Sequence, residues 1–280
     1  MLSKADLTQG SITGTLLRFT LPMIIGSLLQ QCYNIADTLI VGQCIGSGAL
    51  AAVGSAYTLM VFLISILLGL SMGSGTVFSL QYGAGRMKAL RRSIYVSAVL
   101  IGTVTIVLNI AALSFIHPIL KLLQIPDDIY QMMYDYLWII FWGIGFTFIY
   151  NFYAALLRAI GNAVTPLYFL AISVVLNIGL DLFFILLLDW GIKGAAIATL
   201  ISQLFNLVFI AVGFAVCIRK DGDKPVWTLH FSKITIKDYL IMIMPILISE
   251  FLWSLGQTLS CLTRHPPEHG CKPDRHRHIK

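Results

Sequence analysis

The sequence predicts an all-α, polytopic membrane protein, and its composition is the first reason. Of its 280 residues, 58% are hydrophobic and only 11% are charged, whereas a soluble domain has about 25% charged residues. Many intervals between charged residues are long enough for a membrane-spanning helix, which needs about 20 apolar residues. The first apolar run has full spanning length after a short polar start, so no cleavable signal peptide is expected. The lipid bilayer is therefore an expected partner.

Apolar runs and helix-breaking residues divide the chain into six predicted spans and a shorter seventh. The predicted spans are roughly 15–41, 51–81, 93–116, 130–157, 164–188 and 194–218, followed by about 239–259. Prolines 22, 166 and 245 lie near predicted helix starts, where proline is tolerated. We therefore predict a six-helix transmembrane lobe over 1–218, a loop over 219–238, the start of a second lobe over 239–259 and a polar tail over 260–280.

The distribution of Lys and Arg predicts the orientation of the spans. Twelve of these residues lie on the side of the N-terminus and two on the other side, leaving out the tail. Positive charge accumulates in cytoplasmic loops, so we expect a cytoplasmic N-terminus. The net charge of +6 is then explained by basic residues in the loops that set the orientation of the spans. It does not indicate a nucleic-acid partner, and none is expected.

A weak internal repeat relates the beginning of the chain to the seventh span. The segments ITGTLLRFTLPMIIGSLLQQ (12–31) and ITIKDYLIMIMPILISEFLW (234–253) share a polar start and a proline within an apolar run. Six spans separate them, which indicates a six-helix unit that begins again at span seven. The tail SCLTRHPPEHGCKPDRHRHIK (260–280) is instead polar and Pro-rich. We expect it to be disordered and the chain to be truncated there.

Polar side chains recur at helical spacing within three of the apolar spans. Asn177 and Asp181 are four residues apart, so they share one helix face. A carboxylate at the centre of a membrane helix costs about 2.5–3.5 kcal/mol, so such residues face the interior of a helix bundle. Two further stripes have i, i+4, i+7 spacing: Gln30, Asn34 and Asp37 in the first span, and Thr199, Gln203 and Asn206 in the sixth.

Two carboxylates with amides and a hydroxyl group form a plausible oxygen-rich site for Na⁺. They form an equally plausible proton site, because burial and a second negative charge both favour the protonated form of a carboxyl group. The alternative is that Gln30, Gln203 and Asn206 only hydrogen-bond between helices. No cofactor and no metal other than Na⁺ is expected. Several tyrosines could line a cavity for flat cationic substrates: Tyr33, Tyr57, Tyr136, Tyr150 and Tyr153.

Five stretches of the sequence together resemble one transporter family. They are LPMIIGSLLQQCYNIADTLIVG in span one, GLSMGSGTVFSLQYGAG at the end of span two, LRAIGNAVTPLY after span four, NIGLD in span five and GIKGAAIATLISQ at the start of span six. The chain resembles the multidrug and toxic compound extrusion (MATE) transporters over about 1–259, most closely their DinF-like bacterial branch. The resemblance implies twelve helices in two lobes, and export of drugs or metabolites across the bacterial plasma membrane in exchange for Na⁺ or H⁺.

The resemblance also implies a cation site in the first lobe. The family's ligands fall on Asp37, Asn177, Asp181 and Thr199, and another branch adds a glutamate of helix seven, which points to Glu250. The implied partner is a small organic, often cationic, substrate. Its cleft lies between two lobes, so the missing C-terminal lobe is needed and a truncated chain is expected to be inactive.

Three alternatives stay open at this point. A flippase for lipid-linked saccharides has the same broader fold but commonly carries cationic residues in its cavity, whereas these spans have none near their middles. An intramembrane aspartyl protease would use Asp37 and Asp181, but the chain reads NIGLD and lacks the G-x-G-D signature. The chain could also be the inactive product of a disrupted gene.

Overall fold

The computed structural model describes residues 12–122, 125–220 and 236–264, and these ranges are helical with short connections and no β-strand. The helices are α1 (Ile12–Cys44), α2 (Ser47–Gly83), α3 (Met87–Ser114), α4 (Ile116–Leu122), α5 (Asp127–Trp142), α6 (Ile144–Ala159), α7 (Val164–Leu182), a π-helical turn (Phe183–Leu187), α8 (Gly191–Lys220) and α9 (Ile236–Arg264). The predicted all-α class is confirmed.

Most of the helices are suited to crossing a membrane. Within the described residues, α2, α3, α7 with its π-helical turn, α8 and α9 are each long and apolar enough to span alone. Helices α5 and α6 form a sixth candidate span that bends by 43°. Helix α1 has 33 residues, or about 50 Å at 1.5 Å per residue. A helix of this length could also cross a membrane.

The helix boundaries differ from the predicted ones in three places. The predicted fourth span is two helices that meet at Gly143, and no proline in the sequence marked that break. Pro22 and Pro245 lie well inside α1 and α9 instead of near their starts. Helix α9 continues to Arg264, five residues into the predicted tail. Most of the predicted loop (221–235) and the rest of the tail (265–280) lie outside the described residues.

Helix α2 is at the centre of the packing, in contact with α3, α5, α6 and α9. Its side chains Leu67 and Phe78 are fully buried. Glycines let α9 approach closely, because a Cβ atom at Gly69 would come within 3.1 Å of the Cα atom of Leu247. Helix α7 packs between α1 and α8 on the other side of the bundle. That second group of helices carries the polar stripes.

Candidate functional site

Four polar side chains from α1, α7 and α8 meet inside the bundle and form what we call the acidic cluster: Asp37, Asn177, Asp181 and Thr199. Asp181 is fully buried, and the other three are at most 7% exposed. The i, i+4 spacing on α7 directs Asn177 and Asp181 to one face, which packs against both α1 and α8. The structure thus brings together the four residues that the polar stripes and the resemblance had selected.

Hydrogen bonds connect the cluster across α7 and α8. With the amide oriented so that both of its polar atoms have partners, Asn177 Nδ2 donates to Asp181 Oδ2 at 2.9 Å and Oδ1 accepts from the Thr199 backbone N–H at 3.3 Å. In the opposite orientation Nδ2 faces Thr199 Oγ1 at 3.5 Å. The first orientation is the better one, because buried polar atoms are rarely left unpaired. From α1, the Tyr33 hydroxyl group lies 3.3 Å from Thr199 Oγ1.

Each of the two carboxyl groups keeps an oxygen without a partner. Oδ1 of Asp37 and Oδ1 of Asp181 are buried and accept no hydrogen bond from the described residues. The two groups are close enough for their charges to interact. A buried, unpaired carboxylate is strongly unfavourable, and a cation or a proton beside these oxygens would remove that cost. Oxygen atoms from two carboxyl groups, an amide and a hydroxyl group suit Na⁺ or H⁺.

Two features of the cluster could not be read from the stripes. Tyr136 on α5 is buried and interacts electrostatically with Asp37, Tyr33 and Asp181. The sequence had marked it only as one of several tyrosines for a substrate cavity, because nothing in the sequence pairs α5 with α1 and α7. The second feature is the π-helical turn Phe183–Leu187, which begins two residues after Asp181. Such turns are rare and frequently occur at functional sites.

A central cavity of about 100 Å³ lies beside the acidic cluster, between α1, α6, α7 and α8. No charged side chain lines it. Its lining combines aromatic rings with amides, hydroxyl groups and aliphatic side chains: Gln30, Tyr33, Phe146, Thr147, Tyr150, Asn151, Leu170, Ser173, Val174, Ser202, Gln203 and Asn206. Tyr33 belongs to this lining and also bonds to Thr199, so the cavity and the cluster share a wall.

The polar groups of the central cavity divide into paired and unpaired ones. Ser173 Oγ donates to the Ser202 carbonyl oxygen at 2.9 Å, and Asn151 Nδ2 donates to the Thr147 carbonyl oxygen at 2.8 Å. By contrast, buried Oε1 of Gln203 and buried Oδ1 of Asn206 accept no hydrogen bond from the described residues. A ligand that donates hydrogen bonds would satisfy these two oxygens.

The remaining candidate residues lie in different places. Gln30, Gln203 and Asn206 line the central cavity. Asn34 does not: its Nδ2 donates to Gln31 Oε1 at 3.2 Å on an exposed part of α1. Glu250 lies at the α2–α9 contact, where its Cβ atom would be 3.2 Å from a Cβ atom placed on Gly69. Glu250 therefore packs against α2, a contact that the resemblance to the helix-seven glutamate did not predict.

A multispan helical bundle with a buried acidic cluster beside an uncharged cavity defines a class of solute-binding membrane proteins. Comparison with known families narrows that class. The MatE family model matches residues 22–183, more than half of the chain. The chain belongs to the MATE family. Its members are membrane efflux proteins and not enzymes, so the protease alternative is wrong.

Known proteins similar to this chain agree with the family match. It is 35% identical over 209 residues to the probable multidrug resistance protein YpnP of Bacillus subtilis, covering 73% of this chain and 47% of that protein. It is 27% identical over 219 residues to an FAD transporter of Shewanella oneidensis, covering 74% of this chain and 46% of that protein. The chain spans about half the length of these curated relatives.

Solved structures show the same fold. An outward-facing multidrug resistance MATE transporter of the MOP superfamily superposes with a TM-score of 0.81 at 25% sequence identity. The superposition covers 91% of this chain and 56% of that one. The described helices therefore match a little over half of a complete MATE transporter.

Proposed function

We propose that the protein exports organic cations across the bacterial plasma membrane in exchange for Na⁺ or H⁺. Helices α1 to α8 form its first lobe and α9 begins the second, with the N-terminus in the cytoplasm. The acidic cluster binds the coupling ion, and the central cavity contributes to binding the exported compound. The chain has about half the length of its relatives. We therefore assign ion binding and substrate binding to these helices, and we assign transport to the complete two-lobed protein. On its own, the chain is proposed to be inactive in transport.

One observation carries the proposal of a coupling ion. Asp37 and Asp181 are buried in the same cluster, and each has an oxygen with no hydrogen-bond partner among the described residues. Interhelical hydrogen bonding alone does not require a charge, since amides and hydroxyl groups serve that purpose. A cation that neutralises the pair removes an unfavourable buried charge. Its arrival can therefore shift the packing of α1, α7 and α8.

The lining of the central cavity supports an organic cation as the exported compound. The faces of aromatic rings such as Tyr33, Phe146 and Tyr150 attract positive charge. The oxygens of Gln203 and Asn206 have no partner among the described residues, so they can accept hydrogen bonds from a ligand. A compound with several phosphate groups, such as FAD or a lipid-linked saccharide, would meet no cationic side chain in this lining. The cavity therefore argues against the flippase alternative.

The experiment is to measure Na⁺ and ethidium binding to the purified chain in detergent. Calorimetric titration with NaCl, with choline chloride as the ionic-strength control, should give heat of binding that Asp181→Asn abolishes. Asp135→Asn is the matched control, since Asp135 lies on α5 in a partly exposed ion pair with Lys193 at 3.1 Å. Ethidium fluorescence should rise on binding, and Gln203→Leu should weaken that binding. The proposal fails if the chain binds neither probe, or if Asp181→Asn binds Na⁺ as the wild type does.

A further inference from the structure

The fourth span is broken at a single buried residue, and the break separates two functional parts. Helix α5 ends at Trp142, α6 begins at Ile144, and Gly143 between them is buried. The two helices meet at 43°. On the α5 side, Tyr136 belongs with the acidic cluster. On the α6 side, Phe146, Thr147, Tyr150 and Asn151 line the central cavity.

Backbone hydrogen bonding changes at the break. The Gly143 N–H turns back to the Ile140 carbonyl oxygen at 2.8 Å, which is i to i−3, whereas a continuous α-helix has i to i−4 bonds. In a continuous helix the Phe141 carbonyl oxygen would accept the N–H of residue 145. Here that oxygen accepts a hydrogen bond from Asn109 Nδ2 at 2.5 Å.

Asn109 belongs to α3, and it is a polar residue in a span that is otherwise mainly apolar. Unsatisfied backbone groups are very unfavourable within the hydrocarbon region, so an interrupted membrane helix must find partners for its carbonyl groups. Three hydroxyl groups of α3, those of Ser97, Thr103 and Thr105, donate to carbonyl oxygens of their own helix. Asn109 instead bonds to the backbone of the broken span.

The opposite side of the break is closed by α8. A Cβ atom at position 143 would collide with Gln203 Oε1 and come within 3.2 Å of Leu200 Cδ1, both on α8. Only glycine therefore lets α8 approach the bend this closely. Leu200 follows Thr199 of the acidic cluster and precedes Gln203 of the cavity, so the bend packs against the segment that joins the two parts of the site.

We propose that Asn109 is a positioning residue: it holds the bend at Gly143 by occupying the Phe141 carbonyl oxygen, and the bend sets the position of the cavity-lining half of α6. This inference rests on the proposed function, because it assigns Asn109 an effect on substrate binding. Without Asn109, the Phe141 carbonyl oxygen would regain a helical bond and the span would straighten. Phe146, Thr147, Tyr150 and Asn151 would move relative to α7 and α8, whereas Tyr136 would stay with the acidic cluster.

The first test measures the bend directly. Nitroxide labels are placed at D128C and I160C, near the two ends of the broken span, in a chain without its native cysteines. Straightening a 43° bend should lengthen their separation by about 3 Å, given a rise of 1.5 Å per residue. Pulsed electron–electron double resonance should show that increase in Asn109→Leu. The control variant Thr105→Val, which removes a polar group one turn away on the same helix, should show no increase.

The second test separates positioning from general destabilisation. Asn109→Leu should weaken ethidium binding about fivefold, the equivalent of one lost hydrogen bond, while the Kd for Na⁺ changes less than twofold. Asn109→Asp, measured at acidic pH where its neutral carboxyl group can donate a hydrogen bond, should restore both the label separation and ethidium binding.

The outcomes distinguish the inference from the proposed function. Equal label separations in wild type and Asn109→Leu would overturn the inference, and so would a parallel loss of Na⁺ and ethidium affinity. If Asn109→Leu does not fold, the label separation and ethidium affinity of Asn109→Asp are compared at acidic and alkaline pH. Ionisation removes the hydrogen-bond donor of this variant, so the alkaline sample takes the place of Asn109→Leu. If the wild type binds no ethidium, the proposed function fails, while the label distances still decide whether Asn109 holds the bend.

Discussion

The hydroxyl groups of Tyr33 on α1 and Thr199 on α8 lie 3.3 Å apart and connect the acidic cluster to the central cavity. Tyr33 lines the cavity, and Thr199 also contacts the Asn177 amide that binds Asp181. A cation that recruits Thr199 Oγ1 as a ligand competes with the Tyr33 hydroxyl group for that oxygen. Binding of a cation at the acidic cluster should therefore change the affinity of the central cavity for its ligand through this pair.

Removing the Tyr33 hydroxyl group should uncouple the two sites. In the wild type, Na⁺ should change the Kd for ethidium by about fivefold or more, a typical coupling between linked sites. In Tyr33→Phe the change should fall below twofold, while each ligand alone still binds. Ethidium fluorescence titrations in NaCl and in choline chloride measure this factor directly.

The matched control for this experiment is Tyr57→Phe, because Tyr57 is 49% exposed on α2 and does not line the central cavity. It should keep the full effect of Na⁺ on ethidium affinity. Coupling that survives Tyr33→Phe at the wild-type level would mean that the cluster acts on the cavity through a different contact.

Neutralising Asp181 should stabilise the protein when no Na⁺ is present. The carboxyl group is fully buried, and its Oδ1 has no hydrogen-bond partner among the described residues. Asp181→Asn keeps the shape of the side chain and removes its buried charge, which is costly without a partner, so the variant should melt at a higher temperature than the wild type in choline chloride at alkaline pH, where the carboxyl group is ionised. Adding NaCl should raise the melting temperature of the wild type only, because ligand binding stabilises the folded state that binds it.

Asp135→Asn provides the contrast, since it removes a partly exposed ion pair with Lys193. Pairs of this kind contribute about 0–1 kcal/mol, so the variant should melt near the wild type and keep its response to Na⁺. An Asp181→Asn protein that melts lower than the wild type in choline chloride would show that the carboxyl group is well satisfied without a cation.

The contents of the acidic cluster could be predicted from the sequence because helical spacing is a local property. Asn177 and Asp181 must share a face of α7, and a buried charge in an apolar span must face the bundle interior. The sequence could not assign Tyr136 to the cluster or place Asn34 outside the central cavity, since both depend on how neighbouring helices pack. The sequence analysis missed the break at Gly143 for a similar reason. A glycine in an apolar run is compatible with a continuous helix, and the break depends on contacts with other helices: Asn109 of α3 on one side and α8 on the other.

Acid should weaken Na⁺ binding at the acidic cluster. Protonation of Asp37 or Asp181 removes a negative ligand, so protons and Na⁺ compete for the same oxygens. Where a proton occupies the site, Na⁺ affinity falls by up to about tenfold for each unit decrease in pH per proton displaced. Calorimetric Kd values between pH 5 and pH 8 should therefore rise steadily towards acid, and Na⁺ addition to a weakly buffered sample should release protons.

Asp37→Asn tests which of the two carboxyl groups is protonated when Na⁺ leaves the cluster. If residual Na⁺ binding in this variant depends on pH as in the wild type, Asp181 carries the exchangeable proton. A Kd for Na⁺ that is independent of pH in the wild type would contradict competition at the cluster.

The contact between α2 and α9 should depend more on close packing than on its hydrogen bonds. The Tyr239 hydroxyl group donates to Ser74 Oγ at 2.6 Å and also contacts Ser97 Oγ. Each serine additionally donates to a backbone carbonyl oxygen of its own helix. Tyr239→Phe therefore leaves both serines satisfied and should cost only about 0.6–1.7 kcal/mol, the range for hydrogen bonds between membrane helices.

Gly73→Ala should be the more damaging change at this contact. An added Cβ atom would lie 2.9 Å from Ile243 Cβ and 3.3 Å from the Ile243 Cα atom, so α9 would have to move. Overpacking of this kind costs about 1–3 kcal/mol. Gly54→Ala on the same helix is the control, because its Cβ atom would meet nothing within 4 Å, and it should be neutral or slightly stabilising. The melting temperatures of the three variants are compared. A larger loss of stability in Tyr239→Phe than in Gly73→Ala would mean that the hydroxyl group, and not the close approach at Gly73, holds α9 against α2.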